Sequence, residues 1–266
     1  MARPASDTWS NAEEYERYVG RWSRPVAALF LDWLAVPPDR DWLEVGCGTG
    51  ALTQAVLDRC CPRRVAAVEP SEGYLSAARA AVRDPRVEFH QSGGERLPVA
   101  DGSADAAISG LVLNFIPRPQ LALAEQVRAV RSGGAVAAYV WDYAGRMDMM
   151  RAFWDAAIAL DPDARPKDEG VRFPLCNPNA LAALWQEAGL AAVQVVNLDV
   201  PTVFTSFDDY WRPFLGGQAP APGYCMSLPE ERRAALRERL RATLPARPDG
   251  NIALIARALA VKGRRP

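Results

Sequence analysis

Histidine is almost absent from this sequence: His90 is the only one among 266 residues. A His–Asp pair to mark a catalytic base is therefore missing, and a structural zinc site of the Cys/His kind lacks ligands. The five cysteines, Cys47, Cys60, Cys61, Cys176 and Cys225, form an odd and irregular set with no C-x-x-C spacing. That argues against a disulfide framework and for a reducing compartment, and no metal is expected. Lysine occurs only at Lys167 and Lys262, and the basic total of 31 is balanced by 32 acids. A net charge of −1 creates no broad positive field, so no nucleic-acid partner is expected. No apolar run reaches the about 18 uncharged residues of a membrane span. Met1–Ser10 is polar and lacks the apolar centre of a signal peptide. The expectation is a cytoplasmic, soluble chain without a membrane span.

Apolar residues are plentiful at 49%, enough to build a globular core. Short apolar runs alternate with helical patterns over the first half. Strands are expected at Trp42–Val45, Val65–Val68, Val87–His90, Ala104–Leu113 and Val136–Trp141. Helices are expected between them, with a turn at Ser132-Gly133-Gly134 before the fifth strand. An amphipathic helix with Pro25 in its first turn precedes them, and Asn11–Val19 reads as a short helix ended by Gly20. This alternation means βαβ units and a mostly parallel sheet with helices on both faces. The second half predicts helices over Arg146–Leu160, Asn179–Ala188, Phe207–Leu215 and Glu230–Leu244, and strands over Val193–Val200 and Ile252–Leu259. Asp161–Pro178 and Gly216–Gly223 read as loops. No clean linker interrupts the chain, so residues 1–266 are read as a single domain.

The strongest local signal is Glu44-Val45-Gly46-Cys47-Gly48-Thr49-Gly50. Alternating glycines let the backbone bend sharply after a strand and approach a ligand closely. The helix that follows offers free N–H groups at its start. Gly46, Gly48 and Ala51 also satisfy the dinucleotide fingerprint, and Glu69 lies near the distance of its ribose-binding acid. Glu44 speaks against that ligand, because a carboxylate beside the bend repels a pyrophosphate and attracts a cation.

The same segment resembles the first motif of the class I S-adenosylmethionine-dependent methyltransferases. The resemblance extends over about residues 15–141 and is most similar to the small-molecule, ubiquinone/menaquinone-biosynthesis-like branch. It implies a Rossmann-like, seven-stranded, mostly parallel sheet with a reversed final strand and helical cap elements. The cofactor-binding core is then about 24–141, with substrate-pocket insertions at about 1–23, 142–190 and 203–247. S-adenosyl-L-methionine is the implied cofactor. Gly46, Cys47, Gly48 and Gly50 match the turn beneath its methionine and ribose, with Glu44 just before it. Glu69 matches the acid that binds both ribose hydroxyls, and Pro70 the position beside adenine. Ser92–Pro98 matches the segment after strand three. There Ser92, Gly93 and Gly94 stand where the family has Gly-Asp-Ala, so its aspartate facing the adenine amine is absent, and backbone atoms at Gly94 or the Glu95 carboxylate are the candidates to replace it. Ser109 and Gly110 match the segment lining the cofactor after strand four. Tyr18–Ser23 resembles the cap of some members, which places Arg21 at the cofactor carboxylate.

The implied reaction is methyl transfer to a small molecule by direct displacement, which needs alignment more than acid–base help. Asp142, Tyr143 and Asn114 are the candidates for such help. Tyr15, Tyr18, Trp22, Asn114, Trp141, Tyr143, Phe173, Tyr210 and Trp211 are the candidate pocket residues. Three other readings stand beside this one: an RNA or protein methyltransferase, an NAD-dependent oxidoreductase and a non-catalytic cofactor-binding protein.

Overall fold

The computed structural model of the protein describes residues 16–217 and 219–266. The expected helix at Asn11–Val19 therefore lies mostly outside the described residues. Its described end is a π-helical turn, Glu16–Gly20. The chain groups into two compact units. One comprises residues 23–141, 175–198 and 258–266; the other comprises residues up to 22, 142–174 and 199–257.

The first unit is organised by the sheet. Its strands are β1 (Asp41–Val45), β2 (Arg64–Glu69), β3 (Val87–Gln91), β4 (Ala104–Gly110) and β5 (Val130–Trp141), continued by parts of β6 (Ala191–Phe204) and β7 (Ile252–Arg264). The seven-stranded order is β3-β2-β1-β4-β5-β7-β6. β1 pairs in parallel with β2 and β4, β2 with β3, and β4 with β5. β7 runs antiparallel to β5, from Trp141↔Ala258 to Ala135↔Arg264. The sheet is thus mostly parallel with a reversed terminal strand.

β1 is buried along its whole length, as expected of a central strand covered on both faces. Helices α1 (Arg21–Leu34), α2 (Ala51–Cys60), α3 (Glu72–Ala81), α4 (Pro119–Ala129) and α7 (Pro178–Glu187) supply the cover. The Phe30 and Tyr139 rings meet at 4.7 Å between α1 and β5. The Trp185 indole on α7 donates to the Val136 carbonyl of β5 at 2.9 Å. The chain winds β1-β2-β3 to one side, then returns to place β4 on the other. That reversal lies between β1 and β4, and their carboxyl ends form the ligand crevice of such sheets.

The second unit is built from helices and aromatic rings. α5 (Asp148–Leu160) buries Met149, Met150, Phe153, Trp154, Ala156 and Ala157, one face at helical spacing. The Asp148 carboxylate at its start accepts from the Ile255 amide at 2.8 Å. The expected loop Asp161–Pro178 contains a 3-10 helix, Pro162–Lys167, and a short α6, Glu169–Arg172. The expected loop Gly216–Gly223 is cut short by α9 (Pro220–Ser227), which has proline at its first position. The expected helix Phe207–Leu215 is a five-residue α8 (Phe207–Trp211) continued by a 3-10 helix, Arg212–Leu215, and α10 (Glu230–Thr243) follows expectation. No helix among the described residues is long and apolar enough to cross a membrane.

Candidate functional site

The glycine bend leaves β1 with three residues in the left-handed region: Gly46 at φ 78°, Gly48 at 54° and Gly50 at 89°. The Gly46 and Cys47 amides both donate to the Val68 carbonyl of β2, at 2.8 and 3.0 Å. The bend is thereby tied to the neighbouring strand. A Cβ on Gly46 would stand 2.6 Å from Val112 Cγ1, so bend and post-β4 loop touch backbone to side chain. A Cβ on Gly48 would meet nothing within 4 Å, so that residue faces open space. Gly50 caps α2 in left-handed conformation, and no side chain caps that helix. Its first N–H groups remain for another partner. Cys47 points the other way, into a buried cluster with Ala67, Leu75 and Ala78.

Two carboxylates flank the bend. Glu44 on β1 is 1% exposed, and its Oε2 accepts from the Thr53 hydroxyl at 2.5 Å. Burial pushes its pKa up to about 7 against the pull of that hydrogen bond, and Glu69 adds repulsion. Glu69 closes β2. It accepts from the Gly48 amide at 3.0 Å and the Ser71 amide at 2.9 Å. Burial raises its pKa while those two amides lower it. A carboxylate has about four lone-pair sites, so further donors can still be taken.

Thr53 was invisible as a site residue in the sequence. Thr53→Val is expected to cost about 1 kcal/mol of stability at pH 6 and about 2 kcal/mol at pH 8, measured by urea unfolding. Glu44 has a folded pKa above its unfolded value. Stability therefore falls as pH rises through about 7, where Glu44 ionises in the fold. The hydroxyl matters more once that charge is present. Equal losses at both pH values would contradict a charged Glu44 held by Thr53.

Several polar atoms around the bend are buried without a hydrogen-bond partner: both amide atoms of Asn114, the Ser109 hydroxyl and the Tyr74 hydroxyl. Burial raises the Tyr74 pKa to about 12, and Glu69 adds to it. Buried polar groups are normally paired, so such a cluster fits a ligand that completes it. Asn114 sits on a 3-10 turn, Leu113–Phe115, directly after β4. Tyr74, on α3, escaped sequence reasoning because a half-buried tyrosine on a helix reads as packing.

The remaining candidates fall as follows. Pro70 is exposed next to Glu69, and its carbonyl accepts from Gln91 Nε2 at 3.4 Å. Gly94 approaches Val45 and Ile116 too closely for a side chain. Glu95 is engaged by Arg118 through its backbone amide at 3.1 Å and Nε at 3.0 Å. Gly110 packs beneath Tyr139 and Leu52. Trp141, at the end of β5, is 2% exposed and opposite Ala258.

The other unit holds the rest. Arg21 Nη1 donates to Asp209 Oδ1 at 3.0 Å, and its guanidinium lies 4.5 Å from the Trp22 and Phe204 centroids. Its Nε and Nη2 are buried without a partner. Both oxygens of Asp142 are taken by the amides of Gly145 and Arg146, at 3.0 and 3.1 Å. Tyr143 packs on Phe173 at 5.5 Å. Tyr210 is fully buried and donates to the Met149 carbonyl at 2.8 Å. Trp211 packs against Phe207 and Phe214, and Tyr18 edge-on against Phe214 at 5.7 Å. Tyr15 lies outside the described residues. No group of three or more His, Cys, Asp or Glu residues suited to a metal occurs among the described residues.

A bend facing open space, two buried acids and a set of orphaned polar atoms fit a cationic nucleoside. Glu44, just before the bend, disfavours a pyrophosphate there. The fold is a Rossmann-like, mostly parallel sheet with the glycine bend at the carboxyl end of β1. Residues 43–138 match the methyltransferase domain family. An uncharacterized methyltransferase of Mycobacterium avium is 36% identical over 135 residues, covering 48% of this chain and 53% of that protein. One from Mycobacterium tuberculosis is 34% identical over 128 residues, covering 48% and 49%. The chain spans about half the length of such curated relatives. Among solved structures, YcgJ of Bacillus subtilis aligns with a TM-score of 0.59 at 17% identity, covering 91% of this chain and 98% of that one. A phosphoethanolamine N-methyltransferase of Haemonchus contortus, in complex with S-adenosyl-L-methionine, aligns with a TM-score of 0.60 at 15% identity, covering 96% and 56%. At those identities the structures speak for the fold.

Proposed function

We propose that the protein transfers a methyl group from S-adenosyl-L-methionine to a small molecule by direct displacement, acting as one methyltransferase domain. The observation that carries the reading is Glu69, a buried carboxylate that anchors the glycine bend through the Gly48 amide. When bound, S-adenosylmethionine supplies a methyl group activated by the positive charge of its sulfonium. The chain's own residues bind and orient. Glu69 accepts from the ribose hydroxyls while holding the Gly48 and Ser71 amides. Gly46, Cys47, Gly48 and Gly50 give the close backbone approach, and Glu44 and Glu69 together favour a cation. Pro70 and Gly94 border the adenine. Ser109, Gly110 and Asn114 line the crevice at the end of β4, and the orphaned Asn114 amide is the polar group best placed to be completed by a ligand. Arg21 retains two free N–H edges for a carboxylate. Asp142 and Tyr143 remain the candidates for acid–base assistance.

The small-molecule acceptor is supported by the balanced charge and the scarcity of lysine, which leave no broad basic surface. Within the helical unit Tyr18, Trp22, Tyr143, Phe173, Tyr210 and Trp211 supply apolar surface with a few polar ends, and in the sheet unit Trp141 ends β5. Placement in the quinone-biosynthesis-like branch rests on the Tyr18–Ser23 segment and the glycine bend.

Calorimetry with S-adenosylmethionine, S-adenosylhomocysteine, NAD and NADP tests the reading. Saturable binding of the first two and none of the others is expected. The methylated cofactor should bind severalfold more weakly at pH 6 than at pH 8, because Glu44 loses its charge on passing below about 7. Binding of NAD in place of both adenosyl compounds would overturn the proposal.

A further inference from the structure

The unit containing α5 holds a buried carboxyl that the cofactor cradle does not use. Glu169, the first residue of α6, is 1% exposed. Its Oε2 accepts a hydrogen bond from the Trp154 indole N–H, while Oε1 is buried with no partner. The Tyr18 hydroxyl is equally buried and unpartnered, on a side chain 2% exposed. Tyr18 senses the charge of Glu169, which helps raise its pKa well above the usual value after the larger effect of burial.

The walls are rings. Tyr18 meets Phe214 at 5.7 Å, Phe214 stacks on Phe153 at 4.4 Å, and Phe153 meets Trp154 edge-on at 5.3 Å. Trp154 meets Tyr224 at 5.4 Å. No described cation is bonded to Glu169. The nearby charges are already employed: Arg151 of α5 holds Asp168 at 2.8 Å and reaches Asp155 at 3.2 Å. Lys167 lies over the Tyr224 ring at 5.0 Å. Cys225 on α9 is the other titratable group that Tyr18 senses there, with Tyr143 and Tyr210.

A buried carboxyl without a counter-ion, held on one oxygen by the Trp154 indole and joined through a run of aromatic rings to the unpartnered Tyr18 hydroxyl, lacks one partner. A compact organic cation with N–H donors satisfies all three features at once: an ion pair, a hydrogen bond and cation–π contacts. A neutral alcohol satisfies only the hydrogen bond. We propose that this cluster binds an organic amine in its ammonium form, with Glu169 as counter-ion and Tyr18 as a second acceptor. The inference goes beyond the reading above: it names a ligand class for this unit and does not depend on methyl transfer.

Burial raises the Glu169 pKa to about 7, against the pull of the backbone amides of Glu169 and Ala221 and the Trp154 indole. An ammonium ligand requires the ionised form, so binding weakens as pH falls below that value. The experiment is calorimetry on the full chain with phenethylammonium and tetramethylammonium chloride, and with 2-phenylethanol as neutral isostere. Phenethylammonium should bind saturably and tightest, about tenfold more weakly at pH 6 than at pH 8. Tetramethylammonium, which has no N–H, should bind more weakly with the same pH trend. The alcohol should bind weakly and independently of pH. Glu169→Gln should lower phenethylammonium affinity at least about tenfold at pH 8 and abolish the pH dependence. Tyr18→Phe should lower it severalfold. No binding of either ammonium compound would overturn the proposal. So would unchanged affinity in Glu169→Gln, or alcohol binding as tight as the amine. The wild-type pH comparison stands even where a variant does not fold. Titration with S-adenosylmethionine on the same samples is read separately. Cofactor binding without amine binding removes this inference alone. Amine binding without cofactor binding removes the methyltransferase reading instead.

Discussion

Glu69→Gln is expected to weaken binding of S-adenosylmethionine and S-adenosylhomocysteine by about tenfold to a hundredfold. In the structure one carboxylate oxygen accepts from Gly48 and the other from Ser71, so both ends are aimed at donors. Glutamine keeps the shape but presents one NH2 group to an N–H it cannot accept from. One backbone amide is then left without its partner, either in the bend or at the start of α3. The negative charge is lost as well, and hydrogen bonds to charged groups are worth about 1.5–3 kcal/mol each. In the proposed complex the same carboxylate also takes the ribose hydroxyls, so the loss falls on ligand and bend together. Both adenosyl compounds should suffer, since both carry the ribose. Calorimetric titration gives the affinities, and a melting curve gives the structural share. Unchanged affinity for both compounds would remove Glu69 from the binding site.

Gly46→Ala is expected to destabilise the protein by about 3 kcal/mol. The backbone at Gly46 has φ 78°, and a methyl group would lie 2.6 Å from Val112 Cγ1. Left-handed strain accounts for about 1–2 kcal/mol and overpacking against Val112 for about 1–3 kcal/mol. Gly48→Ala separates stability from binding. Its φ is 54° but its methyl group would meet no atom within 4 Å. That variant should lose only about 1–2 kcal/mol of stability from strain and still lose most cofactor affinity, because the open side of Gly48 is where the ligand is proposed. Urea unfolding and calorimetry on the two variants report the contrast. Equal stability of Gly46→Ala and the parent protein would contradict the bend as described.

The parts of the fold legible in the sequence were those set by local pattern. β1 to β4 and the glycine bend are apolar runs punctuated by turn residues, and Glu69 ends its strand where the pattern stops. Ser132-Gly133-Gly134 carries a turn signature, and within β5 it marks a break in the ladder: the partner of β4 jumps from Val130 opposite Ala104 to Ala135 opposite Ala106, with Gly133 at φ 79°. Two misreadings share one cause, the local signal being overruled by a distant partner. The Gly216–Gly223 stretch reads as loop from its prolines and glycines, but Pro220 opens α9 at the one helical position where proline is favourable. Glu169 sits in a segment dense in charge and proline, which reads as solvated. Its burial depends on Trp154, fifteen positions earlier on another helix, and on no neighbour in sequence. The candidate cradle was legible because its residues cluster in short motifs. Thr53, Tyr74 and Glu169 were not, because a hydroxyl or an acid acquires meaning only from what the fold sets against it.

The underside of the glycine bend carries a last consequence. Cys47 is 5% exposed among Ala67, Leu75 and Ala78, and burial pushes its thiol pKa up. Cys61, beyond the end of α2, is exposed to solvent. Of the five cysteines, Cys61 is open to alkylating reagents, Cys60 is half-buried, and Cys47, Cys176 and Cys225 are buried; Cys47 yields only when the bend lifts from α3. Cys47 is a built-in clock for local opening, and any ligand that clamps the bend will slow it.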